Sequence, residues 1–145
     1  MAEKIKEASI EEMLNDFEII FYQKANGKEP TKDFLMSLNV KARAKMLRTI
    51  TLLQENGNEL HEPFSKHLDD EIFELRTQFG ENILRILYFF YHDFLLQGSH
   101  IILTHGFKKK TNKTPQREID TAKRYMNDYL SRRHNPDGNK IQRLP

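Results

Sequence analysis

Residues 83–91, which read I-L-R-I-L-Y-F-F-Y, limit the possible folds more than any other feature of this sequence. A run of nine residues with a single charge indicates a strand that is covered on at least one face, near the centre of a sheet. The run is too short to cross a membrane as a helix, since a span needs about 20 apolar residues. The core is therefore expected to form around this strand.

One strand and two helices are predicted before the central strand. Residues 17–22 (F-E-I-I-F-Y) are aromatic and β-branched, which is typical of a strand. Pro30 favours the first turn of a helix, and a second helix is expected from about Val40 to the Asn-Gly pair at 56–57. The two helices form a predicted hairpin. The predicted buried stripe of the second is Val40, Ala44, Leu47, Ile50 and Leu53, and its predicted solvent side is Lys41, Arg43, Lys45 and Arg48.

The strand before residues 83–91 shows an alternating pattern. Phe73 and Leu75 are expected on one face, and Glu74 and Arg76 on the other. Residues 78–82 (Q-F-G-E-N) predict the hairpin connection that joins this strand to the central one. The two strands are therefore expected to be antiparallel neighbours.

The last third of the chain predicts one more strand and a helix. Residues 93–99 predict a turn and residues 100–104 a strand. Thr114 is expected to cap the final helix, with Pro115 at its first position. The element order predicts an α+β domain over residues 17–133, with a small, mostly antiparallel sheet of about four to five strands. Residues 1–16 are expected to be an arm or a short helix, and residues 134–145 a flexible tail.

The charge distribution is asymmetric. Residues 105–145 carry 11 Lys/Arg and 4 Asp/Glu, a balance of +7, whereas residues 1–104 carry 12 and 17, a balance of −5. This polarity favours a polyanion or an acidic protein as partner. The sequence has no cysteine and no apolar signal segment at its N-terminus, so the expected location is the cytoplasm.

Arg85 is the single charge in the central run, and burying a guanidinium is costly unless it has a partner. One interpretation is an ion pair with Glu74 or Glu81 that fixes the hairpin. The other is that Arg85 points into a concave face and meets an anion, together with Arg76 on the neighbouring strand. Two arginines on a rigid sheet would bind phosphate oxygens well.

The segment 105–115, H-G-F-K-K-K-T-N-K-T-P, contains the densest group of cations, namely Lys108, Lys109, Lys110 and Lys113. Such a run is often only solvated. Here it precedes a helix N-terminus, which favours anions, and a lysine in such a cluster is a candidate proton donor or acceptor. Phe107 could stack on a base, and His105 lies beside the cluster; packing roles are the alternative for both.

Several kinds of site are not indicated by the sequence. It contains no phosphate-binding glycine loop, no dinucleotide fingerprint and no nucleophile elbow. Its six histidines show no spacing typical of metal ligands. No metal and no small-molecule cofactor are therefore expected.

Taken together, F-x-I-I-F-Y, I-F-E-L-R, I-L-R-I-L-Y-F-F and H-G-F-K-K-K-T-x-K-T-P resemble the phage-derived HigB-type toxins of the RelE/ParE superfamily, over about residues 17–130. The resemblance implies a helical hairpin packed on a small sheet. It also implies a toxin that cleaves messenger RNA on the ribosome and is neutralised by a helix-turn-helix, HigA-like antitoxin.

The resemblance also implies roles for individual residues. Arg85 matches the arginine that contacts the scissile phosphate, Arg76 the basic end of the preceding strand, and Lys108 or Lys109 a second basic residue after the last strand. The positions where RelE carries lysines hold Ile72 and Glu74 here. The candidates that could replace those lysines in proton transfer are Lys66, His105 and the lysine cluster. Tyr125 is the candidate for RelE's distal tyrosine.

Three functions remain open from the sequence. The first is a ribosome-dependent endoribonuclease in which basic side chains assist attack by the RNA 2′-hydroxyl without a metal. In that interpretation Lys110, Lys113 and Phe107 bind RNA. The second is a ParE-like inhibitor of DNA gyrase, and the third is a non-catalytic RNA-binding module, because one fold can host different functions.

Overall fold

The computed structural model describes residues 17–93 and 98–134. The predicted arm (1–16) lies outside the described residues. So do residues 94–97 of the predicted turn and residues 135–145 of the predicted tail.

A five-stranded mixed sheet forms the framework. Its spatial order is β1-β5-β4-β3-β2; β1 runs parallel to β5, and the other pairs are antiparallel. This confirms the predicted α+β fold with a mostly antiparallel sheet. The strands are β1 (Glu18–Phe21), β2 (Ser65–Asp69), β3 (Ile72–Phe79), β4 (Asn82–Asp93) and β5 (Gly98–Lys109). The helices are α1 (Pro30–Ser37), α2 (Val40–Asn56) and α3 (Gln116–His134), with a 3-10 turn at Gly57–Glu59.

β4 is the central strand, as its apolar sequence predicts, and both of its faces are covered. Leu84, Ile86 and Tyr88 pack with α1 and α2 in one core, while Leu87 and Phe89 pack with α3 in a second core. The strand is apolar on both faces because helices cover both sides of the sheet. The side of the sheet covered by α1 and α2 is called the hairpin face, and the side covered by α3 is called the α3 face.

The buried side of α2 differs from the prediction. Its buried residues are Ala42, Met46, Thr49, Ile50 and Leu53, whereas Val40 and Leu47 are 75% and 44% exposed. The reason lies in Arg43, which was assigned to the solvent side. Its guanidinium donates hydrogen bonds to the carbonyls of Leu35, Met36 and Leu38, which end α1, and this fixes the rotation of α2.

Gly106, the glycine of the H-G-F motif, lets α1 approach β5 closely. A Cβ atom at this position would lie 2.1 Å from Cδ2 of Phe34. We expect Gly106→Ala to lower the free energy of unfolding by about 1–3 kcal/mol, because Phe34 would have to move in a packed layer. Urea denaturation measures the loss. Adding Phe34→Leu should recover part of it; equal stabilities of Gly106→Ala and wild type would contradict the packing.

Candidate nucleic-acid interface

A β-bulge at Thr104 decides which side chains share a face with Arg85. Leu87 lies opposite His105 and Tyr88 opposite Leu103, so Thr104 is an extra residue in β5, and its hydroxyl donates to the Leu87 carbonyl at 2.9 Å. Beyond the bulge the alternation is inverted. His105, Phe107 and Lys109 therefore lie on the α3 face, opposite Leu87, Arg85 and Ile83, and Gly106 and Lys108 lie on the hairpin face.

The strand register gathers most of the predicted site residues. Arg76 lies directly opposite Arg85, so the two arginines share a face, as the sequence suggested. Lys66 lies opposite Glu74 and is therefore a diagonal neighbour of Arg76 on the same face. The predicted residues brought to the α3 face are Lys66, Arg76, Arg85, His105, Phe107 and Lys109. Lys108 is separated from them by the sheet.

Glu74 is the centre of a buried ionic network. Its carboxylate is fully buried, with Arg76 Nε at 2.9 Å from one oxygen and Arg85 Nη1 at 3.7 Å from the other. The Thr114 hydroxyl donates to the second oxygen and accepts from Arg85 Nη1 at 3.2 Å. Glu74, at a position where the resemblance leads one to expect a lysine, thus partly neutralises both arginines.

Arg85 forms an ion pair with Glu74, which is the first of the two interpretations that the sequence left open. Its side chain is 0% exposed, so the expectation that it points into an open concave face is not met. Burial lowers the pKa of Arg85, and Glu74 opposes that shift. Arg76 is 17% exposed and stands at the rim.

The two arginines also hold the segment that carries the lysines. Arg85 Nη2 donates to the Thr111 carbonyl, and Arg76 Nη2 donates to the Asn112 carbonyl at 2.8 Å. The Thr114 hydroxyl, predicted to cap α3, is engaged by Glu74 and Arg85, and α3 begins two residues later, at Gln116. The sequence K-K-K-T-N-K-T is thus held at three points, namely Thr111, Asn112 and Thr114.

The lysines themselves face solvent. Lys66, Lys108, Lys110 and Lys113 are exposed, and Lys109, in the last position of β5, is half-buried. The Nζ atom of Lys110 lies 3.6 Å from a carboxylate oxygen of Glu81, whose side chain is also exposed. The basic face, defined here as Lys66, Arg76, Lys109, Lys110 and Lys113, can meet an anion that the buried Arg85 cannot.

His105 is buried on the α3 face. Its Nε2 lies 3.4 Å from a Glu118 oxygen and its Nδ1 lies 3.1 Å from the Thr104 hydroxyl. Phe107 stacks on its ring at 5.8 Å, and Tyr125 meets it edge-on at 5.7 Å. This packing arrangement is the alternative considered above for His105 and Phe107.

Burial lowers the pKa of His105 below its ordinary value, although Glu118 opposes the shift. The native ring is therefore neutral, and the stability that depends on it is present above about pH 6.5 and lost as the pH falls through the native pKa. We expect wild type to lose more unfolding free energy between pH 7.5 and 5 than His105→Asn. Denaturation at both pH values measures this difference; parallel losses would contradict it.

β2 and the groove beside it were not predicted. β2 is a short edge strand, and the groove has a volume of about 550 Å³. Its lining combines Lys66 with aromatic, aliphatic and polar side chains: Asn58, Leu60, His61, Glu62, Ser65, His67 and Phe73. The alternation in residues 65–69 was too short a signal, and Pro63, two residues before the strand, masked it.

In residues 17–93 and 98–134, no helix is both long and apolar enough to span a membrane. The same described residues contain no group of three His, Asp or Glu side chains placed to hold a metal ion.

The fold and this interface define a small α+β protein with a cationic segment fastened to the end of its sheet. A sequence profile of the phage-derived Gp49-like proteins (DUF891) matches residues 33–127, which is 95 of the 145 residues. The chain therefore belongs to the Gp49-like family, which is related to RelE- and HigB-type toxins. No curated protein matches the sequence. Family membership is consistent with the toxin of a toxin–antitoxin pair, and it implies an antitoxin partner in general.

Proposed function

We propose that this protein is a HigB-type toxin that cleaves messenger RNA on the ribosome. The observation that carries the proposal is the anchoring of the lysine segment by Arg76, Arg85 and Thr114. Holding the segment at these three points presents several cations on a fixed support, which lowers the cost of arranging them around a phosphate.

In this proposal the 2′-hydroxyl of the RNA gives up its proton and attacks the adjacent phosphorus, forming a 2′,3′-cyclic phosphate. The bond to the 5′-oxygen of the next nucleotide breaks, and that oxygen takes up a proton. The protein supplies charge and proton transfer. Arg76, at the rim, and Lys109 stabilise the phosphate. Lys66, exposed on the neighbouring strand, is the proposed proton-transfer group, and Lys110 and Lys113 hold the flanking phosphates. Arg85 and His105 position these groups from the buried layer. Lys108, on the hairpin face, is left to contact ribosomal RNA.

The proposed partner is a helix-turn-helix antitoxin, and the proposed location is the cytoplasm, where ribosomes translate. The relationship of the Gp49-like family to RelE- and HigB-type toxins supports both proposals.

A cell-free translation reaction tests the function. Purified protein is added to a defined message, and new 5′ ends are mapped with and without ribosomes. We expect cuts only on translated messages, with no cuts from the folded variant Lys66→Ala/Lys109→Ala/Lys113→Ala. A protein that is toxic in cells but produces no cuts would refute the nuclease proposal, and inhibition of DNA supercoiling by gyrase would then be measured.

A further inference from the structure

We propose that the groove beside β2 receives one unpaired base of a single-stranded RNA, and so selects where the RNA is held. This inference rests on the proposed function, because it places part of the same substrate. The groove is a surface to which the sequence assigned no role, and only Lys66 in its lining was a candidate.

The groove has a suitable size and a fixed floor. Its volume of about 550 Å³ lies within the range of small-ligand sites, and a single nucleobase fits well inside it. Phe73 forms part of the floor and is held by Tyr88 at 5.6 Å and Phe90 at 5.3 Å between ring centroids. The Tyr88 hydroxyl is hydrogen bonded to the Ser65 hydroxyl, which fixes β2 to the same layer.

His67 supplies an aromatic surface at the side of the groove. Its ring centroid lies 4.9 Å from that of Phe73, with the planes at 55°. Its Nε2 donates to the Asp70 carbonyl, so the ring orientation is set by β2 and the following turn. The ring is exposed, which leaves a face on which a base can stack.

Polar groups that could bind the edge of a base also line the groove. The Asn58 amide can both donate and accept, the Glu62 carboxylate can accept from an amino group, and His61 adds a ring nitrogen. Lys66 lies in the same lining and also on the α3 face beside Arg76. Phe73 and His67 lie on the hairpin face, so an RNA whose base occupies the groove would pass around the edge strand β2 at Lys66 to place a phosphate on the basic face.

An added peptide strand is the other occupant that an edge strand such as β2 could accept. The observations favour RNA, because the lining combines the exposed ring of His67, the ring of Phe73 and Lys66, which belongs to the basic face. A peptide strand would instead need the backbone edge of β2 and would leave these side chains without a role.

NMR titration of the full chain tests the inference without ribosomes. The probes are a six-nucleotide adenosine RNA and an abasic oligomer with the same sugar–phosphate length. We expect the RNA, and not the abasic oligomer, to shift the ring signals of His67 and Phe73. His67→Ala should weaken RNA binding at least about fivefold and leave abasic binding unchanged. The matched control is His92→Ala, an exposed histidine on β4, and it should bind RNA as wild type does.

Equal shifts from both oligomers, or RNA shifts confined to Lys66 and the lysine segment, would overturn the base site. The same results would leave the nuclease proposal standing. Conversely, base-dependent shifts in the groove together with no message cleavage would uphold the base site and refute the nuclease.

Discussion

Arg85→Ala is expected to lower the free energy of unfolding by about 3–5 kcal/mol, the loss typical of removing one partner of a buried ion pair. The substitution leaves the Glu74 carboxylate buried with Arg76 and Thr114 alone, and it removes the donor to the Thr111 carbonyl. Urea denaturation followed by circular dichroism measures the effect. Arg117→Ala, an exposed arginine in the first turn of α3, serves as the control and should change stability little.

A double-mutant cycle separates the ion pair from loss of packing. Glu74→Gln should destabilise wild type more than it destabilises Arg85→Ala, because in the second background the carboxylate has already lost one cation. If Arg85→Ala unfolds at the same urea concentration as wild type, the network does not hold the fold as described. If Arg85→Ala is destabilised as expected, loss of its toxicity is no proof of catalysis by Arg85, since a detached lysine segment produces the same phenotype.

The second large effect is expected for RNA binding. Replacing Lys66, Lys109 and Lys113 by alanine should reduce the slope of log affinity against log salt by about 2, since each contact to a single-stranded phosphate contributes about 0.7. Fluorescence anisotropy with a labelled single-stranded RNA, measured at several salt concentrations, gives the slope. The unfolding free energy should stay close to that of wild type, because these side chains are exposed or half-buried.

A matched variant removes the same formal charge elsewhere. Lys28, Lys41 and Arg48 are exposed, precede β2 in the sequence and are not part of the basic face. Their replacement by alanine should leave the slope near that of wild type. Equal losses in the two triple variants would show that RNA senses only net charge, and the basic face would have no special role.

The central part of the fold could be predicted because its local pattern and its tertiary role agree. The run I-L-R-I-L-Y-F-F-Y has the composition of a covered strand, and it forms β4. The alternation in I-F-E-L-R placed Arg76 and Glu74 on one face, and an antiparallel hairpin then brought Arg76 opposite Arg85. The choice between an ion pair and an open anion site needed the position of α3, which the local sequence does not contain.

Other features depend on contacts that no periodicity records. The rotation of α2 follows from Arg43 and the carbonyls of α1, so the stripe with Val40 and Leu47 was wrong although its spacing is helical. The bulge at Thr104 moves His105, Phe107 and Lys109 across the sheet, and it extends β5 to Lys109. The bulge sets the face on which Lys109 lies, so the sequence named the residues of the basic face without showing which of them lie together.

One measurement separates the structural role assigned to Arg85 from direct contact with RNA. In Glu74→Gln/Arg85→Met the buried charges are replaced by neutral side chains of similar volume, an exchange that buried ion pairs often tolerate. The rate of ribosome-dependent message cleavage per folded molecule is compared with that of wild type. Arg76 still holds the Asn112 carbonyl in this variant, and NMR signals of residues 111–114 that match those of wild type show that the lysine segment stays in place. With that segment in place we expect the rate to fall by less than about tenfold, whereas the folded Lys66/Lys109/Lys113 triple alanine variant should lose about a hundredfold or more. A fully folded Glu74→Gln/Arg85→Met protein that keeps these signals and still loses about a hundredfold would contradict a purely structural role and place Arg85 on the substrate.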